Sequence, residues 1–558
     1  MGLKLEDIKS YILENPLVQK LYSIEQGEFS IYARVKISFA QLKTPLDFEI
    51  EILPQYPLKS YESESIIFRN KDLISYSHVM GDGKICVNTL HSTDIRQKLS
   101  IDFNALKNWI EKYYIDEDKD LNYEHIIVPD NLFSDSYYSY IFTDTERTFV
   151  KGEYGDVKIS YLNTGVYKGK TLLNYIVQGF IPLGQQLVRC EWSNIYKGHE
   201  ITQDGLFIFI GDAPATYNKF VYKNWLDLDE IIPQEFLKQL HQLERKNYKR
   251  LNGHVLPLFI GYNTVGNKVH WQVALIKYGE FPLYGKPETN NGVKTGSWLS
   301  KLSDTGITWA ISRNSSYKYF FGRGALSHNI TDKKILIIGV GAIGSIIAKT
   351  LTRGGCKYID FVDYDVKEPE NVCRSEYLFL SGITEKTEEL KNILSAISPF
   401  VNIKQLNNNY FETLFKTFHE NREYQVDFIK SINNYDLIFD CSTDNDLMYI
   451  LDSMNLSAEL INISITNHAK ELVCAFHPNI YRFVNIQFTN VLDNDVDDLY
   501  NPIGCWSPTF KASYNDINVL VQLAIKQING LFHENKSRSN FVIKFNESKM
   551  LDLTVAEF

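Results

Sequence analysis

Hydrophobic and polar positions follow a different rhythm in each third of the chain. Near the N-terminus, apolar residues at helical spacing over 3–20 predict a helix that ends at Asn15-Pro16 or slightly later. Alternation of apolar and polar positions over 29–39 and 46–53 predicts antiparallel strands, closed by the turn Leu53-Pro54-Gln55-Tyr56-Pro57, with a further short strand at 65–68. A helical run over 103–114 then ends in the acidic stretch 116–120. In the middle, the runs 157–162, 206–210 and 271–276 read as strands and 233–250 as a charged helix. The last third opens on a continuous apolar run, 335–338, of the kind buried on both faces of a sheet. Helices at 345–351, 386–397, 446–456 and 513–531 then alternate with strands at 358–362, 401–406, 437–439, 460–465 and 472–476. The expected fold is therefore multidomain: α+β at the N-terminus, mixed α/β in the middle, and a Rossmann-like α/β C-terminal part.

A chain of 558 residues is long enough for two to four domains, each with its own core. Its formal charge of −10, without lysine- or arginine-rich runs, argues against a nucleic-acid binder. No stretch approaches the ~20 apolar residues of a membrane span, and the acidic start MGLKLEDIKSYILENP reads as a helix rather than a signal peptide. The seven cysteines (86, 190, 356, 373, 441, 474, 505) form no CxxC pair, so reduced thiols in a cytoplasm are expected and a zinc site is not. His254 and His270 lack companions at ligand spacing.

The chemistry concentrates in 334–374. Gly339, Gly341 and Gly344 lie between the first strand and its helix, the spacing of a loop that lets backbone approach a phosphate at a helix N-terminus. Asp363 ends the second strand, where a carboxylate holds ribose hydroxyls. A dehydrogenase would need no more than this. Here Asp365, Asn371, Arg374, Lys386 and Asp440-Cys441-Ser442-Thr443-Asp444-Asn445 follow. Cations gathered on phosphates, with a further carboxylate for magnesium, suit attack at the α-phosphate of ATP better than hydride transfer.

This stretch resembles the ThiF-type adenylation domain of ubiquitin-activating enzymes and of sulfur-carrier activators, from about 312 to the C-terminus. The glycine loop, Asp363-x-Asp365, Asn371-x-x-Arg374, Lys386 and Asp444-Asn445 fall in the family's order. Lys386 lies four residues after Gly382, where the family usually has three, and the paired CxxC knuckles of many relatives are missing. The resemblance implies ATP and Mg²⁺, with Asp444 on the metal, Arg374 and Lys386 on the phosphates, and Asn371 supporting the loop. It also implies a homodimer in which an arginine reaches the partner's γ-phosphate: Arg323, with Arg313 in reserve. Cys505 follows an acidic loop and precedes the last helix, as the catalytic cysteine of such crossover loops does. A helix N-terminus there would favour the thiolate.

The N-terminal order of helix, meander, Tyr-Pro turn and glycine turn into Ile85-Cys86 resembles a ubiquitin-conjugating domain, which implies that Cys86 forms a thioester. The family's His-Pro-Asn is replaced by His78-Val79-Met80, so its oxyanion asparagine is missing from its place; Asn88 or His91 are the candidates to substitute. A conjugating-type domain (1–140), a middle interaction domain (141–311) and an activating-type domain (312–558) together resemble the ligase-like enzyme of type II CBASS anti-phage operons. That likeness implies adenylation of a cGAS-like nucleotidyltransferase's C-terminus, relay through Cys505 and then Cys86, and transfer to a target amine. Activation of a bacterial β-grasp modifier, or of a sulfur carrier, shares the adenylation chemistry and stays open, as does a signalling scaffold in which both sites are inactive.

Overall fold

The N-terminal pattern folds as a meander under two helices. In the computed structural model, which describes residues 4–59, 63–118, 129–213, 215–216, 220–264, 268–290, 293–466, 469–492, 512–545 and 552–558, helix Leu5–Glu14 buries Ile8 and Ile12. The helix stops short of 20. Asn15 precedes a proline, which disfavours helical backbone, and its side chain accepts from Leu17 N at 3.0 Å. Residues Val18–Gln26 form the first strand instead, followed in order by Ile31–Ile37, Leu46–Ile52 and Ile66–Arg69 in one antiparallel sheet. Ile31, Ala33, Val35 and Ile37 face the core while the residues between them face outward. The closing helix starts at Ile95 rather than 103, because Asp94 caps it by accepting from Gln97 N at 2.7 Å.

The middle third is a nine-stranded mixed sheet packed under helix Gln234–Leu251. The expected boundaries at 140/141 and 311/312 fall inside strands Ser136–Phe142 and Ile311–Asn314, which pair in parallel within this sheet. Its core is aromatic: Trp271 stacks on Phe180 with ring centroids 4.3 Å apart and meets Phe149 edge-on at 5.2 Å.

The C-terminal third is a doubly wound α/β domain. Its seven-stranded sheet runs Tyr358–Val362, Lys334–Ile338, Leu437–Asp440, Glu459–Ile465, Glu471–Phe476, Phe541–Phe545, Leu553–Glu557, the first four parallel and the rest antiparallel. The apolar run 335–338 is buried on both faces, as its composition predicts. Ile335 and Ile337 meet helices Ala342–Arg353 and Tyr514–His533, while Leu336 and Ile338 meet Phe411, Phe428 and Leu447. The strand expected at 401–406 reduces to two single bridges, Tyr358 to Asn402 and Phe361 to Gln405. There the Asp360 carboxylate takes Lys404 N at 3.0 Å, in competition with a regular ladder. Among the described residues no helix is long and apolar enough to cross a membrane.

The middle and C-terminal domains are locked at one turn. Phe400, just after helix Lys386–Ile397, enters the aromatic core of the middle domain and lies 5.8 Å from the Trp192 ring and 5.6 Å from Tyr317. Three hydrogen bonds frame it: Ser193 N to Pro399 O at 2.8 Å, Asn194 N to Asn402 Oδ1 at 3.0 Å, and Tyr196 OH to Ser395 O at 3.1 Å. Truncating such a side chain costs about 3–5 kcal/mol. Phe400→Ala should therefore separate the two domains' unfolding transitions in scanning calorimetry. A single unshifted transition would show that the turn does not couple them.

Candidate functional site

Three glycines build the loop between strand Lys334–Ile338 and its helix, each for a different reason. Gly339 has φ +79, and a Cβ there would lie 2.8 Å from Ser442 Cα. A Cβ on Gly344 would sit 2.0 Å from Gly339 O, so helix and strand approach too closely for any side chain. Gly341 has nothing within 4 Å of its Cβ position and faces the cavity. The loop is pinned from both sides, by Val340 N donating to Asp363 Oδ2 at 2.7 Å and by Tyr377 OH donating to Val340 O at 2.5 Å. Burial pushes the Tyr377 phenol well above its usual range, and the carboxylates of Asp363, Glu389 and Asp365 push the same way. It stays a donor.

A cavity of about 1160 Å³ opens over this loop, large enough for a nucleoside triphosphate. Gly339, Gly341, Asp363, Asp365, Arg374, Lys386 and Asp444 all line it. Both Asp363 oxygens hold backbone, Oδ2 as above and Oδ1 accepting from Asp365 N at 2.8 Å, which leaves lone pairs toward the cavity. Lys386, almost buried, pairs with the half-exposed Asp365 carboxylate. Its register at the first residue of helix Lys386–Ile397 puts its amine at the cavity in spite of the extra residue after Gly382.

Opposite the glycine loop, strand Leu437–Asp440 ends in a braced turn. Asp440 is buried and accepts from Ser442 N (3.1 Å), Ser442 Oγ (2.7 Å) and Asn462 Nδ2 (2.9 Å); burial still raises its pKa. Thr443 stands at φ 57, a left-handed backbone that a β-branched residue adopts only under strain of about 1–3 kcal/mol. Asp444 Oδ1 caps helix Asn445–Ser453 by accepting from Asp446 N at 2.9 Å and Leu447 N at 3.0 Å. Its Oδ2 makes no hydrogen bond among the described residues, so Asp444 fits a Mg²⁺ that takes one carboxylate with phosphate and water oxygens. Among the described residues no group of three or more His, Cys, Asp or Glu is arranged to hold a metal.

The other sequence candidates lie elsewhere. Asn371 does not line the cavity; its carboxamide oxygen accepts from Glu368 N at 2.9 Å and shapes the short helix Pro369–Arg374. Arg323 is exposed on a loop away from the cavity, and Arg313 is exposed on the central sheet. Cys505 lies outside the described residues. Its described flanks, however, are both cavity walls: Asn485, Phe488 and Thr489 of helix Ile480–Leu492 before it, and Ile517 of helix Tyr514–His533 after it. Tyr514 OH donates to Glu376 Oε1 at 2.6 Å, which ties the second flank to the segment that carries Arg374.

Cys86 is exposed on the N-terminal domain, and its amide donates to His78 O at 2.8 Å. His78, at φ 59, meets Tyr113 with tilted rings whose centroids are 4.6 Å apart, and Met80 N donates to Lys84 O at 2.8 Å, closing the hairpin before the cysteine. Of the remaining described cysteines only Cys373 is exposed; burial pushes the Cys190 thiol up to about 12.

Sequence reading missed the supports beneath the site. Lys367 and Glu389 are almost fully buried, and Glu389 Oε2 faces Lys367 Nζ at 2.9 Å as an ion contact without hydrogen-bond geometry. Glu389 Oε1 takes Leu378 N at 2.6 Å and Ser381 Oγ at 3.0 Å, and Lys367 Nζ bonds Leu378 O at 2.7 Å. The pair thus fixes the loop between Arg374 and Lys386. In the sequence nothing local marks this lysine and this glutamate as partners.

Residues 313–467 match the model of the ThiF family. The C-terminal third contains a ThiF domain. Over 367 residues the chain is 25% identical to the ATP-dependent ubiquitin transferase-like protein Cap2 of Enterobacter hormaechei subsp. hoffmannii (strain UCI 50), covering 62% of this chain and 59% of Cap2. It is 35% identical over 80 residues to ubiquitin-like modifier-activating enzyme 5 of Caenorhabditis briggsae, 14% of this chain and 18% of that one. Among solved structures, E. coli MccB with ATP is similar at 16% identity and a TM-score of 0.29, over 41% of this chain and 64% of MccB. The chain thus spans less than two thirds of the length of each of these relatives.

The loop geometry separates binding from folding. Gly341→Ala adds a methyl only where the cavity is open, so ATP binding should be lost in titration calorimetry while the melting temperature stays within a few degrees. Gly344→Ala drives a methyl into Gly339 O and should destabilise the domain by several kcal/mol, as overpacked cores do (typically about 1–3 and occasionally more). Equal melting temperatures for the two variants would refute these separate roles.

Proposed function

We propose that this chain adenylates the C-terminus of a protein with ATP, carries the acyl group as a thioester on Cys505 and then on Cys86, and joins it to a target amine. The observation that carries this reading is one cavity on which the glycine loop, Arg374, Lys386 and the carboxylates of Asp363, Asp365 and Asp444 converge. Gly339 and Gly341 cradle the phosphates and Asp363 holds the ribose. Arg374 and Lys386 offset charge on the triphosphate, and Asp444 holds Mg²⁺ with its uncommitted oxygen. Asn371 acts through the loop it shapes. Arg323, exposed and off the cavity, suits supply from a second copy in a homodimer. Both described flanks of the Cys505 segment border the cavity, which supports transfer from the adenylate to that cysteine first. A thiolate is the nucleophile suited to intercept it at neutral pH.

The similarity to Cap2, whose name describes an ATP-dependent ubiquitin transferase-like protein, supports transfer beyond adenylation. The favoured substrate is a cGAS-like nucleotidyltransferase in anti-phage defence, with the work done in the cytoplasm. The similarity to ubiquitin-like modifier-activating enzyme 5 supports a second reading in which a ubiquitin-like β-grasp protein is activated instead. Pyrophosphate exchange with each purified candidate distinguishes the two.

Asp444→Asn keeps the helix cap and removes the charge. With Arg374→Ala, it should lower ATP–pyrophosphate exchange by one to two decades, the effect of losing about 1.5–3 kcal/mol of charge-assisted contact. Unchanged exchange in Asp444→Asn would remove that residue from the metal site. On non-reducing gels, Cys505→Ala should form adenylate but no thioester, and Cys86→Ala should accumulate a reductant-sensitive adduct on Cys505 without amide product. Amide product from Cys86→Ala would reduce the N-terminal domain to a binding module.

A further inference from the structure

Helix Gln234–Leu251 of the middle domain carries a charge pattern for which adenylation has no use. Its inner face is apolar: Phe236, Leu237 and Leu240 are buried against the sheet, and Leu243 packs on the same core. At 3.6 residues per turn, Lys238, Gln242, Arg245 and Lys249 fall in one line on the opposite side, with Lys246 beside it. All five side chains are exposed, and the line runs for about 16 Å. Among the described residues, Lys238, Arg245, Lys246 and Lys249 make no hydrogen bond, ion pair or ring contact.

Helix stability does not explain the stripe. Cations in the last turn offset the helix dipole, which accounts for Lys249 and Arg250, but Lys238, Arg245 and Lys246 lie before that turn. Arg245 stands four residues before Lys249, and Lys246 four before Arg250, a spacing at which like charges weaken a helix. The surroundings decide what kind of anion fits. Exposed Glu230 and Glu235 stand at the N-terminal end of the helix. At the other end, Asp156 and the Lys158-paired Asp204 line the same cavity as Arg250. A nucleic-acid strand running past both ends would meet these carboxylates and an overall charge of −10. A folded protein can match one short face and present nothing anionic beyond it.

We propose that this stripe docks a protein partner through an acidic helix face, whose aspartates or glutamates one turn apart meet Lys238, Arg245 and Lys249. Lys246 flanks the contact, and the carboxylates at each end of the stripe limit its length. Complementary charge of this kind speeds encounter and fixes register more than it adds raw affinity. The middle domain is then a docking platform as well as a connection between the two ends of the chain. The docking requires no nucleotide, so it is tested apart from adenylation.

The test uses the full chain and two fluorescein-labelled, alanine-rich helical peptides of equal length and composition. One aligns its glutamates at i, i+4, i+7 and i+11, and the other spreads them around the helix. In anisotropy titrations at about 0.15 M salt, the aligned peptide should bind on the order of tenfold tighter, and about 1 M salt should abolish the difference. Lys238→Glu, Arg245→Glu and Lys249→Glu together should weaken the aligned peptide on the order of 10–100-fold. The same number of reversals at exposed Lys43, Lys430 and Lys526 should leave it unchanged. A peptide with lysines in place of the glutamates should gain affinity for the stripe-reversed chain, which a misfolded helix would not provide. Neither triple variant should alter ATP affinity in titration calorimetry. Equal affinity for aligned and dispersed peptides, or for the natural and stripe-reversed chains, would overturn the docking site. Tighter binding of a labelled single-stranded oligonucleotide than of the aligned peptide, lost on reversal, would replace the protein partner with a nucleic acid.

Discussion

The C-terminal domain depends on a contact between two turns of backbone. Gly339 lies so close to Ser442 that no Cβ fits between them, and Gly344 lies closer still to Gly339 O. These approaches set the spacing of strands Lys334–Ile338 and Leu437–Asp440 at their C-terminal ends, where parallel sheets leave a crevice for ligands. The glycine loop, Asp363 and Asp444 reach one cavity because these strand ends are held together. The hydrogen bonds from Val340 N and Tyr377 OH then hold the loop still before any nucleotide arrives, so little ordering remains to oppose binding.

The connections between the chemical groups are held by buried ions. Lys367 and Glu389 fix the loop from Arg374 to Lys386, and that loop presents Leu378, Phe379, Leu380 and Ile383 to solvent at 54%, 77%, 95% and 70% exposure. A segment with so little apolar burial has no hydrophobic reason to keep one shape, and the ion pair supplies a directional one. In the N-terminal domain buried Lys98 pairs with Asp102 and donates to Thr89 Oγ1 at 2.8 Å, which holds the segment after Cys86. Both clusters act through backbone atoms and neighbouring polar side chains rather than by reaching into a site.

What the sequence made legible follows from how each group works. The glycine loop, Asp363, Arg374, Lys386 and Asp444 could be singled out because short, local spacings mark them; their convergence on one cavity needed the fold. Strand 335–338 and helix 386–397 could be read because their burial is periodic. Strand Val18–Gln26 was missed because helical spacing ran on past Asn15-Pro16, and its exposure pattern lacks a period of two. Lys367, Glu389, Lys98 and Asp102 were missed because a charged residue in sequence reads as a solvated face, and only contacts distant along the chain bury it. Asn371 was placed by the resemblance as a support of the loop, and its carboxamide oxygen accepts from Glu368 N in the turn that leads to Arg374.

The two candidate centres are built by opposite means, and the difference matches their tasks. The nucleotide site excludes side chains where phosphate must approach backbone, because a multiply charged ligand is best met by fixed N–H groups and a few cations. Cys86 sits on an exposed surface, and what the fold supplies there is a fixed backbone, with the Cys86 amide on His78 O. Between the two along the chain comes the middle sheet, whose core takes in Phe400 just after the helix of Lys386. A sheet clamped at the far end of a helix whose first residue lines the cavity makes that domain part of the site's support. A mere tether would not need a buried aromatic ring at its joint.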